Sequence, residues 1–124
     1  MTGNEFGAVV ETGTESAISL DEDRLYRALA STRRRRLLYV LLVEEACSAE
    51  RLATILAGWD STETGRIATP EDREEILIDL KHRHLPGLDD AGLITYDHGS
   101  DTVEIGTLDG SVAQLISRSI EAET

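Results

Sequence analysis

Lysine is almost missing from this chain: twelve residues are cationic, and only Lys81 among them is a lysine. Cysteine is missing except for Cys47, which excludes an internal disulfide and a zinc site built from cysteines alone. Cys47 itself reads as a small buried thiol near the start of a strand. There are two prolines, one tryptophan, three tyrosines and one phenylalanine. No run approaches the roughly 18 apolar residues that a membrane span requires. The opening residues also lack the basic-then-apolar order of a secretory signal, so a cytoplasmic protein without a membrane partner is expected. Walker loop, nucleophile elbow, dinucleotide fingerprint and zinc-protease motif are all absent, and catalysis is not expected.

What is present in excess is acid. Asp and Glu number 24 against 12 Lys and Arg, a formal charge of −12 in 124 residues. Together with the scarcity of lysine, this resembles the composition of proteins that work in concentrated salt, where acid serves solvation and solubility. In ordinary salt such a charge argues against nucleic acid, because phosphate binding needs local positive charge. In multimolar salt both repulsion and attraction are screened within a few ångström, so charge distribution matters more than the total. Residues 21–45, with six arginines against five carboxylates, form the positive segment of the chain.

The length predicts one domain with a single core. Residues 1–19, rich in Gly, Thr, Glu and Ser without a sustained period, are expected to form a flexible tail ahead of a domain at 20–122. Asp21 to Asp23 open a first helix with Leu25, Ala28 and Leu29 on its apolar face. Ser31 caps a second helix from Thr32 to about Glu45, with Leu37, Val40 and Leu41 facing inward. That helix begins with Arg33, Arg34, Arg35 and Arg36, although cations in a first turn oppose the helix dipole by a few tenths to about 1 kcal/mol each. Two readings stand: a solvated, partly paired helix start, or guanidinium forks directed at phosphate.

Ala46 to Ser48 suit a short strand, and Ser48 caps a third helix carried by Leu52, Ala53, Ile55 and Leu56 until Gly58 stops it. GWDSTETGRIATP then reads as a loop of about a dozen residues, with Trp59 folded back over the core edge. Leu93 to Tyr96 and Thr102 to Ile105, around Asp97–Asp101, read as a hairpin. A last helix over 109–122 presents Val112, Leu115, Ile116, Ser119 and Ile120 on one side, to be covered by the first helix or by a second copy.

The chain is organised around Thr69 to Ala91. Thr69 offers a hydroxyl cap, Pro70 suits the first helical position, and Glu71 and Asp72 place negative charge at the positive end of the dipole. Ile76, Leu77, Lys81, His84, Leu88 and Ala91, with Leu80 in the same arc, form an inward stripe. Glu75, Ile78, Asp79, His82 and Arg83 form the outward arc. Pro86 is expected to kink the helix near His82, and Gly92 to end it in the left-handed conformation.

The order helix, helix, short strand, helix, long helix and hairpin is an α+β arrangement, mostly helical with a small β-hairpin wing. Ala28-Leu29-Ala30-Ser31-Thr32-Arg33-Arg34-Arg35-Arg36-Leu37-Leu38 resembles the "A-L-A-D-P-T-R-L-R-I-L" opening of ArsR-like winged helix-turn-helix regulators. Leu88-Asp89-Asp90-Ala91-Gly92-Leu93-Ile94 is similar to the "L-x-x-A-G-L-V" end of their recognition helix. His82-Arg83-His84-Leu85-Pro86, with Ala91 to Asp97, resembles a haloarchaeal family of such domains. The resemblance spans about Arg24 to Ile105. It implies a transcriptional regulator that forms a homodimer through its terminal helices and lays helix 69–91 in the major groove of double-stranded DNA. Ile78, Lys81, His82 and Arg83 would then meet the groove, and Arg33 to Arg36 the backbone.

Two features keep a second expectation open, a winged helix that binds a protein and no DNA: the groove-facing arc includes Glu75 and Asp79, and the wing lacks Lys and Arg. Neither a cofactor nor a resident metal is expected. His82 and His84, two apart on a helix, point roughly 200° away from each other and cannot share an ion. His84 sits in the apolar stripe as a hydrogen-bonded core histidine, and His98 lies at a turn tip.

Overall fold

Four short polar residues start four of the helices. In the computed structural model, which describes residues 22–123, the side chains of Ser31, Ser48, Thr69 and Asp109 accept backbone N–H bonds from Arg34, Arg51, Asp72 and Ser111. Each satisfies one of the donors that a helix start leaves open. Helix α1 spans Glu22–Ala30 and α2 Thr32–Glu44, followed by β1, Ala46–Ser48, and α3, Ala49–Thr64. Helix α4, Pro70–Asp79, runs through a wide π turn, Leu80–His84, into α5, Leu85–Asp90. Strands β2, Ile94–Asp97, and β3, Thr102–Ile105, precede α6, Gly110–Glu121. The expected tail, 1–19, lies outside the described residues.

The fold is α+β, mainly helical with a three-stranded antiparallel sheet in the order β1-β3-β2. Cys47 pairs with Val103, and Tyr96 pairs with Val103 from the other side, so β3 closes the hairpin and also holds the strand that enters α3. Leu37, Leu38, Leu41, Leu52, Leu56, Leu80, Leu85, Leu88, Val103 and Ile116 are fully buried. Helix α6 lays Val112 and Ile116 into this core, while Leu115 stays half-exposed beside Tyr26, Leu29 and Ala30 of α1 in an apolar groove. Among the described residues no helix is long and apolar enough to cross a membrane.

Two expectations are corrected. Gly58 does not stop α3, and the dozen-residue loop does not exist. The helix continues to Thr64 and ends at Gly65, whose φ of +74° is the left-handed conformation. Only residues 65–69 separate it from α4. The extra turns carry Trp59, edge-on to Tyr39 at 6.3 Å, and Asp60, bonded to Arg33 and Arg36. Contacts to α2 thus outweigh the weak helix propensity of Gly, Asp, Ser and Thr in this stretch.

The kink expected at Pro86 takes the form of the π turn. Proline supplies no N–H to the carbonyl four residues back and its ring crowds that carbonyl; here Leu85 N–H reaches back five residues to Leu80. The inserted residue also shifts the phase of the inward stripe. Leu80, His84, Leu85 and Leu88 are buried, whereas Lys81, expected on that stripe, is only half-buried.

Candidate nucleic-acid interface

Helices α3 and α4, joined by residues 65–69, have the order of a helix-turn-helix, and α4 with the π turn presents the outer face. On it Ile78 is 50% exposed, and Glu75, His82 and Arg83 are exposed. Asp79 and Lys81 are intermediate. A shallow groove beside the helix is lined by Arg33, Glu75, Ile76, Ile78, Asp79 and His82.

The charge along this face is uneven. The first turns of α4 carry Glu71, Asp72, Glu74 and Glu75, with Arg73 turned back onto α3, where it donates to Glu50 and Thr54. The cations of this face gather at the π turn, as Lys81 and Arg83, with His82 between them. Arg83 forms a two-pronged pair with Asp79, one turn earlier, at 3.1 Å from each oxygen. The arginine lowers the Asp79 pKa from its usual value, with a smaller contribution from His84. The wing turn, Asp97–Asp101, is bonded within itself, Asp97 accepting from Gly99 N–H.

The four consecutive arginines part company. Side chains on a helix are set about 100° apart, so four in a row sweep around the axis and cannot share one direction. Arg33 donates to Asp60 at 3.1 Å. Arg34 Nε donates to His84 Nδ1 at 3.0 Å. Arg35 donates to the Leu29 carbonyl at 2.7 Å and to Thr32, closing the negative end of α1. Arg36, expected at the DNA backbone, is corrected outright: it is buried, bonds Asp60 and Glu123, and lies 4.9 Å over the Trp59 ring. The cluster is therefore bonded within the protein, and the sequence alone hides this because three partners, Asp60, His84 and Glu123, lie 24 to 87 residues away.

His84 occupies the core position expected of it. It is 4% exposed, takes the Arg34 bond on Nδ1, and brings Nε2 within 3.0 Å of Asp79 Oδ2. Desolvation depresses its pKa, with Arg34 and Arg83 adding to the effect and Asp79 opposing it. His98 lies against Tyr96 at the wing, 4.2 Å between centroids with the rings tilted by 50°. Arg66 and Ile67 on the turn into α4 are both exposed, Ile67 at 88%. Sequence periodicity gives no sign of their placement, because the stretch around them reads as the middle of a longer loop.

A family model described as a domain of unknown function (DUF7344) matches residues 26–104, from α1 to the penultimate residue of β3, with α6 outside the match. No curated protein and no solved structure matches the chain.

Proposed function

We propose that this chain, which belongs to the DUF7344 family, is a DNA-binding transcriptional regulator of the ArsR-like winged-helix kind, which places the outer face of α4 and the π turn in the major groove. The observation that carries this reading is the exposure of Ile78, His82 and Arg83 on the helix that follows a five-residue turn, with the hairpin beside it. Lys81 and Arg83 supply the phosphate or guanine contacts. Arg34 stands behind them, and Arg33 and Arg35 contribute only if they leave their present partners. The protein acts as a homodimer, a second copy covering the apolar groove of Tyr26, Leu29 and Leu115 between α1 and α6. The acidic remainder of the surface fits a chain that works in concentrated salt in an archaeal cytoplasm. It has no catalytic role.

Duplex DNA binding followed across a salt series tests this. Lys81→Gln with Arg83→Gln is expected to weaken binding and to flatten the salt dependence by about 0.9 for each phosphate that is no longer neutralised. Unchanged affinity in that double variant overturns the assigned face.

A second reading is favoured by one specific observation. The first two turns of α4 present four carboxylates, and Arg33 and Arg36 are both bonded to Asp60. A basic protein partner fits that surface better than a polyanion. Capture of such a partner by the intact chain, lost on Glu74→Gln with Glu75→Gln while DNA is ignored, supports this alternative.

A further inference from the structure

Three charged side chains converge on one buried imidazole. Arg34 comes from α2, its Nε 3.0 Å from His84 Nδ1. Asp79 comes from α4, its Oδ2 3.0 Å from His84 Nε2. Arg83 shares that same Oδ2, at 3.1 Å from Nη2. The Nδ1 site accepts a hydrogen bond, so the imidazole is neutral with its hydrogen on Nε2. The charged groups that act on the ring are Arg34, Asp79 and Arg83, none of them from α5; Gly87 of that helix lies so close to Arg34 that a Cβ would sit 2.9 Å from Nη2. Asp89 is turned away, accepting from Tyr96 N–H. Arg34 is thus wedged between an imidazole and a bare stretch of backbone, and among the described residues no carboxylate bonds to it.

We propose that His84 is a positioning residue whose protonation state sets whether Arg34 and Arg83 are free to meet an anion. With neutral imidazole, Arg34 is held inward through Nδ1 and Asp79 is available to pin Arg83. A proton on Nδ1 removes the acceptor of Arg34 and sets two cations against each other at hydrogen-bond distance, which drives the flexible guanidinium outward. The charged ring then holds Asp79 more tightly through Nε2 and competes with Arg83 for the shared oxygen. One added proton therefore loosens two arginines on the face assigned above to DNA. The DNA consequence rests on that assignment; the coupling between His84 and the two arginines does not.

The test follows the imidazole and arginine side-chain signals of the full chain by NMR from about pH 7.5 to about pH 5.5, around the histidine range, and duplex DNA affinity over the same range at one salt concentration. The expected result is an Nε2–H ring at neutral pH, Arg34 and Arg83 signals that move with the midpoint of His84, and affinity that rises as pH falls. One linked proton limits that rise to about tenfold per pH unit. His84→Gln, which keeps an acceptor and a donor but no charge, is expected to abolish the pH response. Gly87→Ala, which presses on Arg34 and changes no ionisable group, is expected to raise affinity at neutral pH. Arginine signals that follow His84 while no DNA binds at any pH support the coupling and overturn the DNA reading. Arginine signals indifferent to His84, or a pH response intact in His84→Gln, overturn the proposal.

Discussion

Arg36 and Glu123 meet at 2.9 Å across 87 residues of sequence, joining α2 to the second residue past the end of α6. The same guanidinium also reaches Asp60 at 3.2 Å and Glu63 at 3.7 Å, so α2, α3 and the C-terminal end share one cation. Removing a buried ionic partner leaves its counter-charges uncompensated and costs about 3–5 kcal/mol where all are buried. Asp60 and Glu63 are 40% and 49% exposed, which screens part of this. Arg36→Met is therefore expected to lower the unfolding free energy by about 2–3 kcal/mol, read from urea denaturation. The loss is expected to shrink in molar salt.

His84 makes stability depend on pH in a defined direction. Its pKa in the folded chain lies below the ordinary 6.5, so the unfolded chain takes up the proton first. The contribution of the neutral, bonded ring is complete above about pH 6.5. It is lost as pH falls from there through the folded-state value. Asp79, depressed below 3.8, contributes in a separate and more acidic window. Urea midpoints collected against pH are expected to decline below pH 6.5 in the parent chain and to stay flat through that window in His84→Gln.

Neighbouring positions on the organising helix are expected to differ sharply. Leu80 is fully buried, and Leu80→Ala is expected to destabilise by about 2–5 kcal/mol through the lost transfer energy and the cavity left behind. Ile78 is half-exposed, and Ile78→Ala is expected to remain within about 0.5 kcal/mol. Comparable losses at the two sites, measured by denaturation, would show that Ile78 is not on an open face.

The start of α4 depends on a reciprocal cap, Thr69 accepting from Asp72 N–H at 3.1 Å and Asp72 accepting from Thr69 N–H at 2.9 Å. Thr69→Ala is expected to cost about 1 kcal/mol. Faster amide exchange in the first turn of α4, with protection at Leu80 and Leu88 retained, is the measurement that separates fraying from global loss. Thr69→Ser is expected to restore the cap.

Local chemistry determined a good deal of this molecule. Ser31, Ser48, Thr69 and Asp109 announce helix starts because a side-chain oxygen needs only the next two or three N–H groups to act as a cap. Gly92, at φ +80°, marks the end of the long helix for an equally local reason. The outward arc Glu75, Ile78, His82 and Arg83 was legible from periodicity, as was the burial of His84. Tertiary structure decided the rest. Gly58 looked like a stop because propensity sees only its own residue, whereas Trp59 and Asp60 are fastened to α2 and carry the helix onward. The run Arg33–Arg36 looked like one basic patch because sequence places the four side by side. In space a 100° step spreads them around the axis, Arg33 and Arg36 to Asp60, Arg34 to His84, Arg35 to the Leu29 carbonyl and Arg36 also to Glu123, and these partners are assembled only when the helices pack.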